Sequence, residues 1–128
     1  MRFGIARRPT DKKEEKEVQK KLSKDAELLV RTVCADYDRR ARLIERGMVT
    51  PRAKEMYATL NEAIDQALLG VYERTRAYAP DFHKQMRTDI ALCRGYARSP
   101  LSGTMSEGSY KKYKRQCKNE IAQTLLLL

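Results

Sequence analysis

The chain has 128 residues, 41% of them hydrophobic and 34% charged, with six Gly, four Pro and a formal net charge of +10. A length of this order holds one domain around one core. The mix suits a soluble helical protein better than a disordered chain or a strand-rich barrel. No apolar run approaches the roughly 18–20 residues that span a bilayer. The opening MRFGIARRPT lacks an apolar segment after its basic residues, so no secretory signal is expected, and the expected compartment is the cytoplasm.

Residues 1–9, with Arg2, Arg7 and Arg8, read as a flexible basic arm, and residues 10–128 as a single helical domain. A D-x-x-E start at Asp11 and apolar residues at Val18, Leu22, Ala26, Leu29, Val33, Tyr37, Ala41 and Ile44 predict one long helix over 11–46. Gly47 is its expected left-handed stop. Thr50 as N-cap and Pro51 at the first helical position open a second helix over 51–79, with Met56, Leu60, Ile64, Ala67 or Leu68, and Val71 on its inner face and Pro80 ending it. Two long apolar stripes joined by a short turn predict an antiparallel hairpin.

A third helix is expected over 81–98, with Phe82, Met86, Ile90, Cys93 and Ala97 inward. RSPLSGTMSEGS is a loop by composition, and Thr104 or Ser106 caps a fourth helix over 105–127. The expected fold is therefore all-α, a four-helix bundle-like domain built on a long helical hairpin. Cys34, Cys93 and Cys117 fall on apolar stripes with no C-x-x-C pair, which favours buried thiols over zinc or a disulfide framework. No cofactor or metal is expected.

The positive surplus gathers at the two ends of the chain: residues 1–9 hold three arginines and no acid, and residues 99–128 hold five Lys or Arg against two Glu. Lys111, Lys114, Arg115 and Lys118 are spaced to share one helical stripe, with Lys112 beside them. Tyr110 and Tyr113 are placed to stack on unpaired bases, Arg94 and Arg98 to extend the patch, and Arg7 and Arg8 to add an arm. The alternative is a solvated lysine face with packed tyrosines. The terminal leucines Leu125, Leu126, Leu127 and Leu128 cover every side of a helix, which fits either burial or a homodimer or partner contact.

For catalysis the inventory is thin. His83 is the single histidine, and SPLSGTMSEGS lacks a phosphate-loop pattern. The stretch RAYAPDFH, with Arg76 and His83 in R-x6-H spacing, resembles the R-x(4–6)-H motif of the HEPN ribonucleases, which are also small helical domains. The resemblance covers this short stretch alone, and Pro80 and Ala77 depart from the family pattern. It implies His83 as general acid/base and Arg76 as phosphate holder. The bland reading is Arg76 at one helix end and His83 on the first turn of the next.

The reading taken is a non-enzymatic nucleic-acid-binding subunit or regulator, for DNA or RNA, with a Lys/Arg/Tyr face. The alternative is an adaptor or inhibitor of the kind found in phages and mobile elements, docking on an acidic protein surface. A membrane role is not expected, because no stretch joins a wide apolar face to an aromatic anchor.

Overall fold

A computed structural model describes residues 22–75, 79 and 81–127, including the side chains of all of these except residues 75, 126 and 127. The described chain is all-α: α1 (Lys24–Ala35), α2 (Tyr37–Glu45), α3 (Pro51–Thr75), α4 (Phe82–Ala91) and α5 (Glu107–Leu127), with short 3-10 helices at Tyr96–Arg98 and Pro100–Gly103. No strand occurs among the described residues. No helix among them is long and apolar enough to cross a membrane.

The long first helix expected over 11–46 is not continuous. Leu22 and Ser23 lie outside any helix, and the Ser23 hydroxyl accepts from the Ala26 amide at 3.1 Å to start α1. A second interruption falls at Asp36, whose backbone sits at φ −92°, ψ 0°. Its carboxylate accepts from Arg39 Nη2 at 2.7 Å and Arg40 Nη1 at 3.3 Å. Such local side-chain bonding is why Asp disfavours helix interiors.

The stop at Gly47 is as expected. Gly47 lies at φ +65°, its amide donates to Ile44 and the Met48 amide to Leu43, the two reversed bonds of a Schellman end. Thr50 Oγ1 then accepts from the Ala53 amide at 3.2 Å and opens α3 at Pro51.

Helices α2 and α3 pack against each other, and the pairs Arg40–Asn61 and Tyr37–Asp65 show that they run antiparallel. α1 packs chiefly on α4 and α5, and α3 also packs on α5 and α4. The hairpin is thus confined to α2 with α3, while α1 belongs to the other wall.

The core holds Val30 and Cys34 of α1, Ile64, Leu68 and Val71 of α3, Phe82, Met86 and Ile90 of α4, and Tyr110, Cys117 and Ile121 of α5. Each large apolar side chain contributes about 1.5–3 kcal/mol on burial. Phe82 anchors the aromatic part, 5.7 Å from Tyr72 and 6.4 Å edge-on from Tyr113. Two expected core residues on α1 and α3 are corrected. Leu29 is exposed because the buried row of α1 runs through Val30 and Cys34, and Met56 is exposed near the solvent end of α3.

The third helix also ends sooner than expected. Leu92 caps α4, and Cys93 takes the left-handed position at φ +54°, with the Arg94 amide donating to the Asp89 carbonyl at 2.8 Å. Cys93 and Ala97 are therefore exposed rather than inward-facing. The 3-10 helix at Tyr96–Arg98 follows, held by the Tyr96 hydroxyl donating to the Met105 carbonyl at 2.7 Å. Ser106 caps α5 by accepting from the Ser109 amide at 3.2 Å. Leu125 is half-buried against the core. The side chains of Leu126 to Leu128 lie outside the described residues, as do the arm with Arg7 and Arg8, the Asp11 start, Arg76 and Pro80.

Candidate nucleic-acid interface

α1 and α5 meet along a groove with two adjoining recesses of about 410 Å³ each. The inner recess is lined by Lys24, Glu27, Leu28, Arg31, Ile90, Cys93, Lys114 and Lys118. The outer one is lined by Leu22, Glu27, Lys111, Lys114, Arg115, Lys118 and Asn119. Together they gather six cations, Lys24, Arg31, Lys111, Lys114, Arg115 and Lys118, around one carboxylate, Glu27. Helical spacing makes the arrangement: Lys24, Leu28 and Arg31 are one stripe of α1, and Lys111, Lys114, Arg115 and Lys118 one stripe of α5.

The groove cations differ in how far they are already paired. Lys118 Nζ reaches Glu27 Oε1 at 2.9 Å, and Lys111 Nζ reaches Glu107 Oε2 at 3.0 Å. Arg31 Nη1 lies 3.1 Å from Cys93 Sγ. Lys114 is partly buried, its ammonium donating to the Arg94 carbonyl. Burial, and then the like charge of Lys118, pull its proton affinity below that of an ordinary lysine.

Several residues expected at the interface are elsewhere. Tyr110 is 1% exposed, and its hydroxyl donates to Asp89 Oδ2 at 2.9 Å, so it does not present a ring to a base. Burial, then the bond to Asp89, push its phenol well above the usual range. Tyr113 is partly buried and packs edge-on against Phe82 of the core. The Arg94 guanidinium turns inward, with Nη1 3.6 Å from the buried Asp89 Oδ1. Arg98 and Lys112 are exposed but line neither recess.

Conversely, Lys24 and Arg31 belong to the groove without having been expected there. Their seven-residue spacing was legible as a helical stripe, but nothing local showed that α1 faces α5.

His83 is exposed on the first turn of α4, beside Lys84, Arg87, Asp65 and Tyr37 in a separate shallow recess. There the Tyr37 hydroxyl donates to Asp65 at 2.8 Å, and Arg87 stacks 3.8 Å above the Tyr37 ring. Arg87 thus pairs with Tyr37 and Asp65, and the Arg76 that the HEPN pattern requires lies outside the described residues. Among the described residues no cluster of His, Cys, Asp and Glu is arranged to hold a metal ion. No protein-family model matches the chain, and neither a curated protein nor a solved structure is similar to it.

Proposed function

We propose that the chain is a nucleic-acid-binding protein whose interface is the α1–α5 groove. One observation carries the reading: six cations from two helices line the groove against a single carboxylate. Crowding like charges costs stability, and at Lys114 the charge of Lys118 adds to burial in lowering the proton affinity. A phosphate backbone laid along the groove supplies the missing charge and releases its own counterions. The interface differs from the one expected on sequence grounds, since Lys24 and Arg31 of α1 replace the tyrosines, Arg94 and Arg98.

Titration of the full chain with a labelled oligonucleotide at low and at physiological ionic strength tests the reading. The expected result is affinity that falls by about 0.7–0.9 log units per log unit of salt for each phosphate bound. Absence of binding at low salt defeats it.

A second reading, docking on an acidic protein surface, is favoured by Leu28. This side chain lines the inner recess and is 52% exposed, so a protein partner would bury it. Leu28→Gln separates the two, because it weakens a protein interface and leaves phosphate binding unchanged.

A further inference from the structure

Glu27 occupies a singular place in the groove. It lines both recesses, and it is the sole acid lining either of them. Its Oε1 lies 2.9 Å from Lys118 Nζ, across 91 residues of sequence. The two side chains retain 50% and 27% of their exposure, so water reaches the pair. Exposed ion pairs of this kind are individually weak.

Resting on the nucleic-acid reading above, we infer that the groove takes a phosphate chain by charge density alone, with Glu27 as a built-in competitor that single anions fail to displace. A lone phosphate that settles on Lys118 breaks its pair with Glu27 to make one comparable pair, and so has little advantage there. A chain of phosphates meets Lys24, Lys118 and Arg115 at once, and these new ion pairs together outweigh the broken one.

Base identity is not read. Among the described residues no aromatic side chain lines either recess; of the two tyrosines nearby on α5, Tyr110 is buried in the core and Tyr113 is partly buried against it. Single-strand binders that sense bases do so by stacking them on exposed rings. The ligand class is therefore a polyphosphate backbone, with nucleic acid and inorganic polyphosphate as two sources of the same chemistry.

The test uses the full chain and a fluorescent oligothymidylate. Unlabelled oligothymidylate, inorganic polyphosphate and inorganic phosphate serve as competitors, compared per phosphate. Polyphosphate is expected to displace the probe within about threefold of the oligonucleotide, and inorganic phosphate to need over about a hundredfold more. Glu27→Gln, which removes the competitor, is expected to tighten probe binding about two- to fivefold.

Glu62→Gln, the same change in net charge at an exposed α3 position lining neither recess, is expected to shift it far less. An oligonucleotide advantage above about tenfold over polyphosphate overturns the inference, because bases are then being read. Equal effects of Glu27→Gln and Glu62→Gln overturn it too. In both cases the nucleic-acid reading survives. Absence of probe binding by the wild type and both variants removes that reading and the inference together. The competition on the wild type stands even if Glu27→Gln fails to fold.

Discussion

The hydroxyl of Tyr110 donates to Oδ2 of Asp89 at 2.9 Å, and the two side chains are 1% and 0% exposed. This buried hydrogen bond ties α5 to α4 directly behind the groove. The same hydroxyl lies 3.2 Å from the Arg94 carbonyl, which Lys114 also serves as donor. Asp89 has less choice. Its Oδ1 accepts no hydrogen bond among the described residues, and Arg94 Nη1 stands 3.6 Å away.

Tyr110→Phe leaves both oxygens of Asp89 without a hydrogen bond in a closed site. The expected loss is about 1–3 kcal/mol of unfolding free energy, the cost of a stranded buried acceptor. Urea denaturation of the variant measures it. A loss near zero would mean that Asp89 finds another donor.

The three thiols differ sharply in access. Burial pushes Cys34 up to about 12 and raises Cys117 as well, whereas Cys93 is exposed. A disulfide reagent at pH 8 should modify one thiol rapidly in the native protein and all three after unfolding in guanidinium. Rapid reaction of all three natively would contradict the packing of α1 against α5.

Cys93 also holds a left-handed conformation, at φ +54°, that a side chain tolerates poorly. Cys93→Gly relieves that strain but loosens the unfolded chain, for an expected net gain of about 0.5–1 kcal/mol. Thermal or urea unfolding reads the gain, and the fast-reacting thiol disappears with it.

This position shows why part of the fold was legible and part was not. The end of α2 was announced by Gly47, the residue whose backbone suits the left-handed turn, and the expected stop is the observed one. The end of α4 uses a left-handed turn with a cysteine in it, so no local signal marked it, and the expected helix ran on to residue 98. The break at Asp36 was masked in a similar way, because Asp36 sits within an unbroken apolar period.

Of the site, the stripe on α5 was readable because it is local. Its facing wall on α1 was not, since which two helices meet depends on tertiary packing. The tyrosines misled for the same reason. Spacing put Tyr110 and Tyr113 beside the lysines, and only the core decided which way their rings point.

Asp36 gives a dependence on pH with a definite sign. The hydrogen bond from Arg39, then charge from Arg39 and Arg40 against the opposing effect of burial, holds its carboxyl below the usual range. A depressed folded pKa means that the unfolded chain takes up the proton first as pH falls. The stabilisation is fully present above the ordinary aspartate value of about 3.9 and is lost as pH drops through the lower folded value. Asp36→Asn should therefore unfold at lower urea than wild type at pH 7 and pH 5, with the gap narrowing by about pH 3. A gap that persists undiminished at pH 3 would refute the assignment.

Within the groove, Lys24 and Arg115 are exposed cations on opposite walls. The double variant Lys24→Gln with Arg115→Gln should lower the salt slope of oligonucleotide binding by about 0.7–0.9 for each phosphate no longer held. Arg98→Gln, outside both recesses, should leave the slope unchanged. Anisotropy titrations at three or more salt concentrations distinguish them.

The two walls of the groove are drawn from distant parts of the chain: Glu27 and Lys118, which touch across it, are 91 residues apart. A pairing that closes so long a loop forms late relative to neighbouring turns. A chain emerging from the ribosome carries Lys24 and Arg31 long before residues 107–127 are made, and has no facing wall until they are. On the proposed function, the capacity to hold a polyanion is tied to the synthesis of α5, so a nascent chain still short of that helix, surrounded by ribosomal RNA, would lack one wall of the grip.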